Sequence, residues 1–456
     1  MLLGDARHQK PGQPGRAVDT RGEAKRVAER DEAAPARDAQ TDSGADDLLM
    51  QALARENLVR AWKRVRANKG SAGVDGRTVQ ATGQWLKTAW PDIRRQLLDG
   101  SYRPSSVRSV GIAKPGGGTR QLGIPTVVDR LIQQALLQVL QPRVDPSFSA
   151  HSYGFRPGRS AHGAVLQAQR YVAEGYEIVV DVDLEKFFDR VSHDILMDRL
   201  AKRVADRRVL RLIRRYLEAG VMAHGLVHQR IEGTPQGGPL SPLLANVLLD
   251  EVDRKLERRG HRFVRYADDC NVYVKSQRAG ERVLQWLRRC YAKLALRINE
   301  SKTAVGVAWE RKFLGYRLFR NVRGEVRLGI SAHALTQLKR RLRILTRSTC
   351  GRSLEQVAQD LQAFVPGWKA YFRLAQTVTD LRELDSWLRY RLRVVRLRQW
   401  RHGPTIYREL RALGASEVLA ARTAANSRGW WRTAREGMNR MLPNTYFTAL
   451  GVPAFS

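Results

Sequence analysis

Cysteine is scarce: the 456 residues include 3, Cys270, Cys290 and Cys350. No two of them form a Cys-x-x-Cys pair, so neither a disulfide framework nor a zinc ribbon is expected. Long apolar runs are also missing. No stretch of about 18 uninterrupted apolar residues occurs, which removes the usual signature of a membrane-spanning helix. The opening MLLGDARHQK has no apolar core of a secretory signal, and no lipidation motif is visible. A cytoplasmic protein with no membrane partner is the expectation. Acidic residues are in short supply as well, with 45 Asp plus Glu against 80 Lys plus Arg, a net charge of +35. Such an excess cannot be absorbed by local ion pairs, so it spreads a positive field over the surface. The natural partner is a polyanion, whose neutralised phosphates release condensed counterions.

Hydrophobic residues at 43% suffice for a sizeable core, and the length allows two or three domains. Residues 1–45 are rich in Gly, Pro, Ala and alternating charge, with hardly any large apolar side chain, and are expected to be a disordered tail. Leu49, Leu53, Leu58, Trp62 and Val65 then recur at helical intervals, and Asn68-Lys69-Gly70 supplies a stop. Residues 107–325 mix β-branched runs with helical stretches. Ile178-Val179-Val180-Asp181-Val182-Asp183 reads as a buried strand. Arg262-Phe263-Val264-Arg265-Tyr266 and Cys270-Asn271-Val272-Tyr273-Val274 read as two strands flanking a turn at Ala267-Asp268-Asp269. Together they predict an α+β domain. Beyond about residue 330 the chain turns helical and basic. Residues 331–456 hold 22 Lys plus Arg against 8 Asp plus Glu, with Arg389, Arg391, Arg393, Arg396 and Arg398 interleaved with Trp387, Tyr390 and Trp400.

Two aspartates in a turn are commonly no more than solvated turn residues. Between two apolar strands, however, two like charges are poorly placed. Nucleotidyl transfer supplies a reason for them. It uses two divalent cations, one activating the attacking 3′-hydroxyl and one steadying the leaving pyrophosphate. Magnesium takes oxygen ligands, so several carboxylates must converge. Asp268 and Asp269 in a hairpin turn, with Asp183 at the end of a neighbouring strand, would meet that need.

Tyr266-Ala267-Asp268-Asp269 resembles the catalytic box of reverse transcriptases. The ordered series around it, over about residues 50–450, resembles the bacterial group II intron reverse transcriptase/maturase family. Upstream stand Ser71-Ala72-Gly73-Val74-Asp75-Gly76, Lys114-Pro115-Gly116-Gly117-Gly118-Thr119-Arg120-Gln121-Leu122-Gly123-Ile124-Pro125 and Ser152-Tyr153-Gly154-Phe155-Arg156-Pro157-Gly158-Arg159-Ser160. Asp183-Leu184-Glu185-Lys186-Phe187-Phe188-Asp189 and Gly233-Thr234-Pro235-Gln236-Gly237-Gly238-Pro239-Leu240-Ser241-Pro242 follow. Asn299-Glu300-Ser301-Lys302-Thr303 and Phe313-Leu314-Gly315-Tyr316 come after the box. The resemblance implies a right-hand polymerase of fingers and palm, with an α-helical thumb and a basic helical maturase domain. On that reading the tail is 1–45, an N-terminal extension of the fingers 46–106, and fingers and palm 107–328. Thumb and maturase domain occupy 329–400 and a basic C-terminal region 401–456.

The implied activity is RNA-directed DNA polymerisation, on an RNA template with a DNA primer and deoxynucleoside triphosphates. It needs two Mg2+ ions, for which Mn2+ can substitute. Binding of structured intron RNA, as a maturase assisting splicing and retrohoming, is implied alongside. A splicing-only RNA-binding maturase, or a domesticated enzyme of antiviral defence or DNA repair, are the alternatives. By the same resemblance the metal ligands are Asp183, Leu184, Asp268 and Asp269. Asp181, two residues earlier on the same strand face, competes for the first place. Phe188 is the side chain that would block a ribose 2′-hydroxyl, with Phe187 the alternative one residue earlier. Lys114 and Arg120 match contacts to the incoming triphosphate, and Gln236 and Gly237 the floor beneath the nascent base pair. Lys302 matches the residue that protonates the leaving pyrophosphate, and the Phe313–Tyr316 stretch the primer-grip hairpin. One departure concerns the cysteine- and histidine-rich endonuclease domain of many relatives. Three scattered cysteines cannot build it, so no target nicking is expected.

Overall fold

The computed structural model describes residues 47–456 apart from 114–118, 224–225, 229–231, 235–236, 349–350, 427–430, 432 and 435–437, and apart from the side chains of 120, 223 and 226–228. The expected tail, Lys114, the Gly116–Gly118 turn, the Arg120 side chain, Pro235, Gln236 and Cys350 therefore lie outside the described residues.

Helices α1 (Leu48–Ala52), α2 (Arg55–Ala67) and α3 (Val79–Leu98) come first. Helix α2 stops at the expected place, with Asn68 as its C-cap and Lys69 left-handed at φ 46°. Strands β1 (Val107–Ala113) and β2 (Thr119–Ile124) form an antiparallel hairpin before α4 (Val127–Val144) and α5 (Ala161–Ala173). Strand β3 (Ile178–Val182) follows, then α6 (His193–Ala201), α7 (Arg207–Glu218), β4 (Val221–Ala223) and β5 (Leu226–His228). Helix α8 (Ser241–Arg258) leads into β6 (Arg262–Tyr266) and β7 (Asp269–Val274), then α9 (Gln277–Ala292) and β8 (Ala304–Val307). Three short strands, β9 (Lys312–Phe313), β10 (Tyr316–Arg320) and β11 (Val326–Ile330), lead to the helices α10 (Ala332–Leu345), α11 (Leu354–Tyr371), α12 (Val378–Trp400), α13 (Gly403–Ala412) and α14 (Glu417–Ala425). The fold is α+β, as expected from the alternating patterns.

The sheet that matters for function runs β6-β7-β3-β8, every pair antiparallel. Alternation along each strand sends successive side chains to opposite faces. Val180, Val182, Phe263, Cys270 and Val272 point to the face covered by α8 and α9, within the largest core. Each such side chain contributes about 1.5–3 kcal/mol on burial. Val179, Val264 and Tyr273 point to the other face, against α5, Phe313 and Tyr316. Asp181, Asp269 and Asn271 share the parity of this second face.

The helices after residue 331 build a separate core around Leu342, Leu354, Leu361, Leu392, Leu410 and Phe447. A capping box at Ser353 and Gln356 starts α11. The α12 arginines do less for solvent than their number suggests. Arg389 is buried and donates to the carbonyls of Val452 and Pro453, and buried Arg393 donates to Leu442 O at 2.9 Å. Arg396 reaches the Tyr446 hydroxyl at 2.6 Å. These side chains fasten the last residues of the chain onto α12. Cys270 and Cys290 are buried free thiols, and among the described residues no helix is long and apolar enough to cross a membrane.

Candidate active site

Strands β6 and β7 are joined by the two residues Ala267 and Asp268, since Tyr266 pairs with Asp269. Ala267 takes φ 59°, a left-handed backbone costing a non-glycine residue about 1–2 kcal/mol. The turn is held from beneath. Arg265, fully buried, donates Nη1 to Ala267 O at 2.9 Å and to Asn246 Oδ1 at 2.9 Å. Its other nitrogens grip both carboxylate oxygens of Asp253, the closest at 2.6 Å, and Ser152 Oγ at 2.8 Å. Main-chain bonds from Tyr153 N to Arg265 O (2.8 Å) and Arg265 N to His151 O (2.9 Å) lay residues 151–153 along β6. Gly154 then passes so close that a Cβ there would meet Ala267 N at 2.3 Å. This explains the glycine in Ser152-Tyr153-Gly154-Phe155, a motif to which no role had been attached.

Asp183 stands one residue beyond β3, wrapped by the Asn299–Thr303 segment. Its backbone N–H donates to Thr303 Oγ1 at 3.1 Å, and its carbonyl accepts from Asn299 N at 2.8 Å. Its carboxylate Oδ2 accepts from Asn299 Nδ2 at 3.0 Å and from Lys302 Nζ at 3.2 Å. Lys302 thus sits at the site as an ion-pair partner of Asp183. Leu184 buries its side chain in the core beside Asp183.

Asp181, Asp183, Asp269 and Lys302 line one cavity of about 780 Å³, together with Arg311 and Lys312 and with Ser331 and His333 at the start of α10. Asp268 is half-buried on the adjoining turn. Burial and the negative charges of Asp181, Asp268 and Asp183 push the Asp269 carboxyl up to about 8, with Lys312 pulling the other way. Burial also raises Asp181, which Asp183 raises further while Arg311 and Lys312 oppose. Both rivals for the first position, Asp181 and Asp183, therefore face the same cavity. Among the described residues no three His, Cys, Asp or Glu side chains form a ready-made metal cage. The donor set nonetheless fits hard divalent cations. It consists of carboxylate oxygens, and their mutual repulsion is what a cation would relieve.

Of the remaining expected residues, Phe188 and Gly237 are among those described. Lys186 is left-handed at φ 46° and starts a 3-10 turn over Phe187–Asp189. The turn sends Phe187 into the core and leaves Phe188 half-buried, the two rings edge to face at 5.0 Å. Phe188 O accepts from Thr234 N at 2.7 Å. Gly233 (φ 90°) lies against the same turn, where a Cβ would meet Asp189 O at 2.9 Å. Gly237 (φ 132°) lies against β2, where a Cβ would meet Gly123 O at 2.7 Å. The two glycine-bearing motifs are thereby brought together. Leu314 (φ 51°) and Gly315 (φ 81°) form the two-residue turn between β9 and β10, the backbone of a tight hairpin.

Residues 112–318 match the family description "Reverse transcriptase (RNA-dependent DNA polymerase)" and residues 335–414 "Group II intron, maturase-specific domain". Protein YkfC of Escherichia coli is 32% identical over 315 residues, covering 60% of this chain and 83% of that protein. The group II intron-encoded protein LtrA of Lactococcus lactis is 36% identical over 195 residues, covering 42% of this chain but only 32% of LtrA. Of solved structures, the partial Cas6-RT-Cas1–Cas2 complex is 26% identical, covering 55% of this chain and 42% of that one, with a TM-score of 0.36. A reverse transcriptase domain is followed by a maturase-specific domain in one chain, and this protein belongs to the group II intron reverse transcriptase/maturase family.

Proposed function

We propose that the protein extends a DNA primer on an RNA template with two Mg2+ ions, and that its maturase-specific region also grips group II intron RNA to assist splicing and retrohoming. The observation that carries this reading is the acidic cavity. Carboxylates from β3 and from the β6–β7 turn share it closely enough to lift Asp269 to about 8. When bound, the ions activate the attacking 3′-hydroxyl and neutralise charge on the leaving pyrophosphate. Asp183, Asp268 and Asp269 would hold them, with Leu184 O as a further ligand. Lys302, the ion-pair partner of Asp183, would give its proton to the departing pyrophosphate oxygen as a general acid. Gly237, whose missing side chain lets it lie against β2, would form part of the floor beneath the nascent base pair, and Arg120 on β2 would meet the triphosphate.

The direct test is extension of a DNA primer on an RNA template, with splicing of a group II intron followed in parallel. Extension proceeds in Mg2+ and stops on chelation with EDTA while the melting temperature stays within a few degrees. Extension that survives chelation would refute the metal reading. Phe188, half-buried while Phe187 is committed to the core, is the ring assigned here to the sugar side of the site. Phe188→Ala should therefore raise ribonucleotide over deoxynucleotide incorporation by about ten- to a hundredfold, the scale of one steric contact. An unchanged ratio would move that role elsewhere.

A further inference from the structure

On the face of the sheet away from the carboxylates, the C-terminal ends of α8 and α9 enclose a second cavity of about 510 Å³. Lys255, Arg258, Arg259, Arg289 and Lys293 line it, with Trp286 among them. Two helix ends account for part of this charge, since each carries about −0.5 and attracts cations. Glu251 accounts for another part through its 3.0 Å pair with Lys255. Five positive charges against roughly two negative leave an excess of about three. Among the described residues, neither Arg258, Arg259, Arg289 nor Lys293 has a carboxylate within ion-pair distance. Their convergence shows at Cys290, whose thiol burial raises while Lys255, Arg259, Lys293 and Arg289 all pull it down. The Arg259 guanidinium lies 4.4 Å from the Trp286 ring centroid, a planar platform of the kind on which bases stack.

We propose that this cavity is a second RNA-binding site, which takes the phosphates of a structured RNA segment on the back of the palm, separate from the template–primer cleft. The choice of RNA rests on the polymerase and maturase reading; the anion site itself rests on the geometry. An anionic membrane surface fits less well. The site is concave, and none of the exposed large apolar side chains among the described residues lies on α8 or α9 to enter a bilayer.

The test uses the full chain and the triple variant Arg258→Gln/Arg289→Gln/Lys293→Gln, titrated with a long folded group II intron transcript and with a short RNA–DNA template–primer duplex. The variant should bind the transcript about tenfold more weakly at physiological salt. Its plot of log affinity against log salt should be shallower by about two to three. Affinity for the short duplex and its extension rate should be unchanged, which also shows that the variant folds. Unaltered transcript binding overturns the proposal, as does an equal loss on the short duplex. Loss of binding to phosphatidylglycerol vesicles with transcript binding intact would also overturn it, in favour of a lipid surface. Because extension is read separately, failure of this site and failure of the polymerase assignment give different results.

Discussion

Asp268→Ala combined with Asp269→Ala should lower RNA-templated primer extension by about four orders of magnitude and leave RNA affinity within about twofold. The size follows from what the carboxylates would hold on the proposed reading. Divalent cations at a nucleotidyl-transfer centre contribute several kcal/mol of charge stabilisation, and about 1.4 kcal/mol is a factor of ten in rate. RNA affinity should persist because the two substitutions leave every Lys and Arg of the chain in place. Stability separates this loss from misfolding. Asp269 titrates at about 8 in the folded chain because of burial and its acidic neighbours, well above an unfolded aspartate. A group raised in this way favours folding fully only below its unfolded value, and that contribution is lost as pH rises through about 8. In EDTA the wild-type chain should therefore melt progressively lower between pH 6 and pH 9. The double variant should show a flatter profile and a melting temperature no lower at pH 9. Undiminished extension would remove the site, whereas a collapsed melting temperature would assign the loss to folding.

The hairpin at Tyr266-Ala267-Asp268-Asp269 was legible because alternating apolar strands on both sides leave one place for a chain reversal. The structure moves its boundary by a single residue, starting β7 at Asp269 rather than Cys270. The choice between Asp181 and Asp183 was not legible, and the reason is geometric. Residues two apart on a strand share a face, and both reach the same cavity. Phe187 and Phe188 could not be told apart by pattern either, because the left-handed Lys186 ends the strand period and both rings sit in the 3-10 turn that follows. Pattern alone did not separate the arginines of α12. Arg389 and Arg393 fall on the buried side of the helix and are occupied with backbone carbonyls of this chain. The main omission was Arg265. A charge sharing the inward face with Phe263 was the available signal, but its partners Asp253, Asn246 and Ser152 come from other segments that only the fold assembles.

That assembly predicts the largest effect on stability. Arg265→Met should destabilise the chain by about 3–5 kcal/mol, because it leaves the Asp253 carboxylate buried with its partner gone. Both side chains are almost fully buried, at 1% exposure each, so solvent cannot substitute. Burial already raises Asp253, and Arg265 is the first of the influences holding it down. Without that guanidinium the folded carboxyl rises further above its unfolded value. The variant should then regain stability as pH falls and lose it as pH rises through the new folded value, so its deficit in urea midpoint should be larger at pH 8 than at pH 5. Arg265 also donates to Ala267 O beneath the strained turn. Primer extension should therefore fall by about ten- to a hundredfold even under conditions where the variant is folded, the range expected when reacting groups shift by a fraction of an ångström. Adding Asp253→Leu removes the orphaned charge and should restore much of the stability, but it supplies no donor to Ala267. Stability recovered without activity would mark Arg265 as a positioning residue for the Asp268-Asp269 turn. Recovery of both together would reduce it to an ordinary buried ion pair.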